Sequence, residues 1–490
     1  MSWVLWAILA VPLLAAGVSL LAGWRVGRVV SVLAAAAAFV LAVAAAIHVD
    51  DGATIRGAHG WLRLDALGAV FLVATGLLYA AAAIFSVGYF AGQEAEAGFA
   101  GYARRYWVLL NLFGWSMLLV PVAADFGSLW VAVELTTIIS ALLVAIDRTD
   151  AALEAAWKYV LIASCGLGIA LLAIILLYGA GTARLGTDYV PRFDTLLPVA
   201  SHFSSTAVRL SFVLAIVGFG TKVGFVPTHT WLPDAHSEAP APVSALLSGA
   251  LLAAALYAIL RFFQVAVAAG SRTFAEHVLL VFGVVSLAAA SLFVLRQTNF
   301  KRLLAYSSIE HMGIVALGVG FGAPLAVAGA LLHVLTHASA KGLAFLGSGS
   351  LLRRFDTKDI SGVSGGATVM PASGSMFLAA ALALSALPLS GVFRSEFQIV
   401  CGGFASAQYV PVSLLIVLVN VAFFGVVWHV GRMVLSAPKD VADRRGEVSW
   451  WMVAGMAACF VVVIALGVHV PGQLGHLLAG ASRELRSPVR

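Results

Sequence analysis

Apolar runs of about twenty residues, the length that crosses a bilayer, recur along the whole chain with short polar connections between them. Fourteen such runs stand near residues 3–23, 29–47, 64–88, 106–122, 126–146, 156–178, 207–226, 241–268, 274–295, 301–321, 324–352, 374–402, 409–436 and 449–470. The longest polar connection runs from about Thr182 to Ser205. With no Pro/Ser-rich linker and no soluble stretch, the pattern predicts a single all-α integral membrane domain over 1–490 with about fourteen transmembrane helices. The first run, Trp3 to Gly23, has no basic leader and meets Arg25 and Arg28 directly, so it reads as a retained helix and not as a cleaved signal.

Two runs interrupt the pattern. The seventh contains Gly218, Gly220, Lys222, Gly224 and Pro227, and the twelfth contains Pro388, Gly391, Arg394 and Glu396. Proline removes a backbone donor and clashes with the preceding turn, while glycine weakens a helix further. Both helices 7 and 12 are therefore expected to be broken. Unpaired backbone inside a membrane is tolerated only where protein buries it or a hydrated cavity receives it. Broken helices at corresponding places in two halves point to an inverted repeat with a transport path between the halves. Ordinary proline kinks are the rival reading.

Composition agrees with lipid as the solvent. The chain is 61% hydrophobic and 11% charged, with a mean hydropathy of +1.00, against about 25% charged residues in a soluble chain. The net charge of +6 does not indicate nucleic acid, because the basic residues sit in short loops between apolar runs. One set of alternate loops holds Arg25, Arg28, Arg104, Arg105, Arg148, Arg296, Lys301, Arg302, Arg353, Arg354, Lys358, Arg432, Lys439, Arg444 and Arg445. The other holds Arg56, Arg63, Arg184, Arg192, Arg209, Arg261, Arg272, Arg483, Arg486 and Arg490. Fifteen against ten places both termini outside a prokaryotic inner membrane. Cys165, Cys401 and Cys459 are far apart and form no CxxC pair, which argues against a disulfide framework, a zinc site or an iron–sulfur cluster.

Charge at the bilayer centre costs at least about 2.5–3.5 kcal/mol, so ionisable residues inside the runs are functional candidates. They are Glu134, Lys222, Glu310, His311, His333, His337, Lys341, Arg394 and Glu396. Steps of four residues advance about 400° and 6 Å, so His333, His337 and Lys341 share one helix face as a ladder that a proton could climb. Zinc binding by the histidine pair is disfavoured by the neighbouring lysine, and a purely structural histidine pair is the other alternative. Glu134 and Lys222 read as a coupled pair, since moving or neutralising the carboxylate would let a buried lysine release its proton; a static salt bridge is the alternative. The polar stretch from Pro227 through His229, Asp234, His236 and Glu238 fits either a surface loop or the mouth of a water channel.

The stretch His229-Thr-Trp-Leu-Pro-Asp-Ala-His-Ser-Glu-Ala-Pro-Ala-Pro-Val-Ser-Ala-Leu-Leu-Ser-Gly249 strongly resembles the signature of the antiporter-like subunits of respiratory complex I, a superfamily that includes membrane-bound hydrogenases and multisubunit sodium/proton antiporters. Lys301–Gly313, His333–Lys341, Glu134 and Phe393–Phe397 look like further family motifs, together covering about residues 60–430. The resemblance implies fourteen helices with two inverted five-helix repeats, about 106–268 and 274–436, flanked by helices in 1–88 and 449–470. It also implies that Glu134 and Lys222 serve a first half-channel, that His333, His337 and Lys341 form a central relay, and that Glu396 is a terminal acidic station. Many members carry a lysine four residues after the glycine matching Gly249. Here that position is Ala253, so the link from Lys222 must use water, His236 or another group. This departure, with Ser308-Ile-Glu310-His311, looks more like the hydrogenase-4/formate hydrogenlyase branch.

The expectation is thus a proton-translocating membrane subunit of a hydrogenase-4-like or complex I-like oxidoreductase complex. The relay would comprise Glu134, Lys222, His236, Glu310, His311, His333, His337, Lys341 and Glu396. No cofactor or metal is expected on this chain; the partners would be other membrane subunits, a peripheral redox module and lipid. The alternatives are a multisubunit sodium/proton antiporter, a proton-coupled inorganic-carbon uptake system, and a passive scaffold whose charges only pin helices together.

Overall fold

A computed structural model describes residues 2–49, 53–438 and 445–487. Each of the fourteen expected segments falls on a helix or on a broken pair. In order they are α1 (Ser2–Leu21), α2 (Trp24–His48), α3 (Ala66–Tyr89), α4 (Phe99–Leu119), α5 (Phe126–Val144), α6 (Asp150–Leu185) and α7 (Ser205–Val223). There follow α8 (Trp231–Glu238), α9 (Ala241–Ala268), α10 (Arg272–Val294), α11 (Phe300–Gly320) and α12 (Pro324–Phe355). The chain continues with α13 (Pro371–Leu384), α14 (Gly391–Ala405), α15 (Tyr409–Leu435), α16 (Trp450–Val468) and α17 (Gly472–Arg486).

Twelve helices among the described residues are long and apolar enough to cross a membrane. The chain is a multi-pass integral membrane protein. The other two expected segments explain themselves: α12 is long but carries His333, His337 and Lys341, and α13 and α14 are short because Ser385–Ser390 interrupts them. The seventh segment is likewise broken. Gly224 takes a left-handed conformation at φ 87°, which ends α7 and turns the chain into the separate helix α8.

Polar residues set the helix starts. Asp65, Asp125, Thr149, Asn299 and Ser390 each accept a backbone N–H from the first turn of the helix they precede. Small residues then let backbones close up, the usual basis of helix association in lipid. Gly283 on α10 and Gly313 on α11 lie so near each other that a Cβ on either would meet the other's carbonyl oxygen at 2.9 Å. Two helices occupy the centre: α9 is buried from Ala241 to Ala266, and α12 is buried on every side from Gly329 to Leu351. Apolar outer faces of α1, α2, α15 and α16 remain exposed, as at Trp3, Val40, Trp428 and Trp450.

The connections sort onto two faces. On one, a hairpin of β1 (Ile55–Gly57) and β2 (Leu62–Leu64) bridges from Leu62 to Ala123, and Asp125 bridges to Arg192. On the other, Lys358 pairs with Glu238 at 2.8 Å and Arg302 with Asp234 at 3.1 Å. Two residues of the loop-charge count prove to be interior. Arg261 is buried within α9 and Lys301 within the first turn of α11, because each finds acceptors there. Lys439, Arg444 and Arg490 of that count lie outside the described residues.

Arg261 anchors a buried ionic cluster that fastens the last helix. Its Nη2 lies 2.7 Å from Asp65 Oδ1, and Arg63 pairs with the other oxygen of Asp65. Beside them, Glu484 of α17 accepts from Ala66 N at 3.2 Å and Leu67 N at 3.1 Å, at the start of α3. Burial, and then the negative charge of Asp65, push the Glu484 carboxyl up to about 7. Burial alone would raise Asp65 as well, but Arg261 and Arg63 outweigh it and hold that carboxyl well below the usual range. Asp65 therefore stays ionised while Glu484 titrates. A carboxyl raised by docking favours the docked state when protonated. Attachment of α17 is thus expected to be strongest below about 4.5, to weaken as pH rises toward about 7, and to level off above it. Amide hydrogen exchange across residues 472–486, corrected for its intrinsic pH dependence, should speed up between pH 5 and 7.5, and Glu484→Gln should flatten that change.

Candidate functional site

Every expected site residue lies within the helical bundle, but the partners differ from those expected. Lys222 and Glu134 form no direct ion pair. Lys222 Nζ donates to Val133 O at 2.6 Å, to Thr136 Oγ1 at 2.7 Å and to Thr137 Oγ1. Glu134 instead accepts from Ser164 Oγ of α6 at 3.1 Å and leaves its second oxygen without a partner. Helix geometry explains this: Val133, Thr136 and Thr137 are spaced three and four apart and share the face of α5 toward α7, whereas Glu134 is turned about 100° toward α6.

The polar stretch after α7 is neither a surface loop nor an open mouth. It folds inward as α8, with Trp231 and His236 fully buried and Trp231 Nε1 donating to Thr221 O at 2.8 Å. His236 Nδ1 lies 2.8 Å from Leu232 O, which fixes the proton on that nitrogen and leaves Nε2 as a buried acceptor with no partner. Lys301 closes the end of α8 by donating to Ser237 O at 3.0 Å and to Ala239 O.

The central constellation joins α11, α12 and α14. His333 and His337 stack on one face of α12 with ring centres 6.2 Å apart, as their spacing predicts. The connecting ring between them comes from a different helix. His311 of α11 lies 5.1 Å from the ring centre of His333 and 5.2 Å from that of His337, and its Nδ1 is 3.0 Å from His333 Nε2. His333 Nδ1 is 2.9 Å from Ser395 Oγ, and Ser395 Oγ donates to Val392 O at 2.8 Å. With the hydroxyl hydrogen committed to Val392, His333 donates from Nδ1 and accepts at Nε2, so His311 donates from Nδ1. The polarity of a short hydrogen-bonded wire follows from one serine.

Glu396 Oε1 stands 3.7 Å from the same His311 Nδ1 and has no hydrogen-bond partner. His311 Nε2 and both nitrogens of His337 are also buried without partners. At the other end of the ladder, Lys341 Nζ donates to Leu304 O at 2.9 Å. That carbonyl also accepts from Ser308 Oγ at 3.0 Å, and Ser308 Oγ lies 2.7 Å from Ser248 Oγ. Ser248 belongs to a π-helical turn, Leu247–Leu251, two residues before buried Ala253. A polar string from α9 to Lys341 thus passes through serine hydroxyls near Ala253. Spacing gave no sign of Ser248, Ser308 or Ser395, because serine is equally at home as a helix-facing back-bonder.

His311, His333 and Glu396 each offer a ligand atom within 4.8 Å of the others. Tetrahedral zinc with bonds of about 2.1 Å holds ligands about 3.4 Å apart, so an ion there would have to replace the 3.0 Å histidine–histidine hydrogen bond. Its present geometry suits proton exchange. Cys165, Cys401 and Cys459 are all free thiols.

Comparison with known proteins matches these features. Residues 123–425 match the family described as NADH:quinone oxidoreductase/Mrp antiporter, transmembrane, and the chain belongs to that family. It is 34% identical to the hydrogenase-4 component F homolog of Methylacidiphilum infernorum over 418 residues, 83% of this chain and 85% of that one. With hydrogenase-4 component B of Escherichia coli K12 it is 30% identical over 430 residues, covering 83% of this chain and 62% of that one. Its fold matches a chain of an archaeal membrane-bound sulfane sulfur reductase (TM-score 0.87, 23% identity, 99% and 98% covered). It also matches a chain of the Mrp complex from Dietzia sp. (0.87, 21% identity, 100% and 98% covered). These are chains of multisubunit membrane complexes, and the chain described here is an antiporter-like membrane subunit.

Lys222 and its acceptors allow a direct test of the site's energetics. Thr137→Val should lower thermal stability in detergent by about 1–3 kcal/mol, the cost of leaving a buried charge short of an acceptor. Lys222→Met should be neutral or stabilising, since no charge then needs burial. The double variant should match Lys222→Met alone.

Proposed function

We propose that this chain is a proton-translocating membrane subunit of an energy-converting oxidoreductase complex of the hydrogenase-4 type. It would sit in a prokaryotic plasma membrane with both termini outside, built as fourteen spans around two inverted five-helix repeats. A peripheral module would carry the redox groups, with none on this chain. The likeness to a hydrogenase-4 component F homolog over 83% of the chain supports the choice of branch.

The observation that carries the proposal is the buried hydrogen-bonded series His311–His333–Ser395, with Glu396 beside its first member and His337 and Lys341 on the adjoining helix face. Protons would reach Lys222 by way of Glu134, cross through His236, Glu310 and the serine string to Lys341, and leave through the histidines to Glu396. Neutral acceptors around Lys222 and Lys341 let each lysine exist charged or uncharged, which a tight carboxylate pair would oppose. Moving one charge against 100 mV costs about 2.3 kcal/mol, which redox chemistry in the partner module must supply.

In inverted vesicles containing the assembled complex, His311→Ala and Lys341→Ala are each expected to cut proton uptake per electron transferred by at least about a hundredfold, with assembly intact. Lys222→Ala should do the same. Unchanged pumping in all three variants would reduce the buried charges to a scaffold. Uptake of sodium-22 in place of protons would shift the reading to a sodium/proton antiporter.

A further inference from the structure

Away from the buried series, two adjoining cavities open on the face that carries Arg105, Arg148 and Arg353. One is an apolar groove of about 490 Å³ between the ends of α1, α4, α5 and α6. Its walls include Leu20, Val108, Leu142 and Leu153, and three of these are large apolar side chains with 55%, 54% and 42% of their surface exposed (Leu20, Leu142 and Leu153). Its rim carries Arg104, Arg105 and Arg148, and no acidic residue lines it. The other is a polar pocket of about 530 Å³ that shares Arg105, Ile146 and Arg148 with the groove and adds Arg353.

The charges of this double site are out of balance. The side chains of Arg104, Arg105 and Arg148 make no hydrogen bond or ion pair among the described residues, and Arg353 Nε is buried without a partner. Against these four guanidinium groups stand Glu96 and Asp147, and Asp147 already accepts from Tyr102 Oη at 2.7 Å. Arg148 also adopts a left-handed backbone at φ 55°, a conformation that favours glycine or asparagine.

We propose that the groove and pocket together seat one anionic phospholipid. An acyl chain lies along the apolar wall of α4, α5 and α6. The phosphodiester sits between Arg104, Arg105 and Arg148, where the planar guanidinium forks match phosphate oxygens. The headgroup enters the polar pocket beside Arg353 and Tyr102. Shape selects an amphiphile with a tail, which excludes free phosphate, and the surplus positive charge selects a net-negative headgroup over a zwitterionic one.

The test is a native mass spectrometry titration of the full chain, purified in mild detergent, with dioleoyl phosphatidylglycerol and dioleoyl phosphatidylcholine. The glycerol lipid should bind at least about tenfold more tightly than the choline lipid, in line with about a fivefold gain per arginine near the headgroup. Replacing Arg104, Arg105 and Arg148 together by glutamine should abolish the preference while leaving phosphatidylcholine binding unchanged. Leu142→Trp, which fills the groove without touching charge, should weaken both lipids. Equal affinity for the two lipids, or a preference that survives the triple replacement, would overturn the proposal. So would competition by glycerol 3-phosphate at the lipid's own concentration, or a photocrosslinker at Leu109 that captures a protein subunit and no lipid in the assembled complex.

Discussion

An ammonium group in a hydrocarbon setting must find oxygen atoms or give up its proton, and the interior of this protein is arranged around that requirement. Three buried lysines meet it in the same way. Lys222 rests on Val133 O and two threonines, Lys301 on Ser237 O and Ala239 O, and Lys341 on Leu304 O. None of the three forms a direct ion pair with a carboxylate among the described residues. Main-chain oxygens stabilise the charge without neutralising it, so the protonation state of each lysine stays sensitive to what happens nearby. Each such oxygen must come from a helix that brings a second polar group with it, as Thr136 on Val133 O and Ser308 on Leu304 O show. The lysines therefore dictate where α5, α8 and α11 lie against α7 and α12.

Breaks in the helices serve the same economy of polar atoms. Where α7 ends, Phe225 N and Gly224 N both return to Gly220 O, so the interruption leaves few main-chain groups unpaired. Between α13 and α14, Ala386 and Leu389 hold left-handed backbone at φ 52° and 75° without glycine. The restart at Ser390 positions Ser395 and Glu396 in the second turn of α14, where they meet His333 and His311. A continuous helix would carry those two side chains elsewhere on its circumference.

Much of this was legible in the sequence because lipid imposes a coarse and strict code. Apolar length gave the twelve helices long and apolar enough to cross a membrane, proline and glycine gave both interruptions, and the four-residue spacing gave the shared face of His333, His337 and Lys341. What stayed hidden depends on which helix packs against which. His311 stood in a motif, but nothing in its spacing says that it lies between two histidines of another helix. Glu134 and Lys222 read as a coupled pair from their opposite charges, but the sequence could not say that they stand apart, because the direction of the Glu134 side chain around α5 turns it toward Ser164 of α6. Arg261 and Lys301 sat near the ends of apolar runs and so passed for loop residues, although Asp65 and the end of α8 receive them inside the fold. Serine carried the least warning of all, since its hydroxyl becomes informative only when its acceptor is known.

The serine that orients the histidine wire has a kinetic consequence. A proton entering at His311 Nε2 and passed on from Nδ1 to Glu396, 3.7 Å away, would leave His311 in its opposite tautomer, with its hydrogen on the entry side and its hydrogen bond to His333 lost. The ring would then hold a record of its last passage and could not repeat it. Either the ring must turn over or the hydrogen must be drawn back before the next proton could follow. A series of groups in fixed hydrogen-bond contact thus behaves as a turnstile and not as an open pipe. On the proposed route its throughput would be set by the reset, and the same bonds that make transfer possible would suppress a leak of protons in the absence of a driving conformational step.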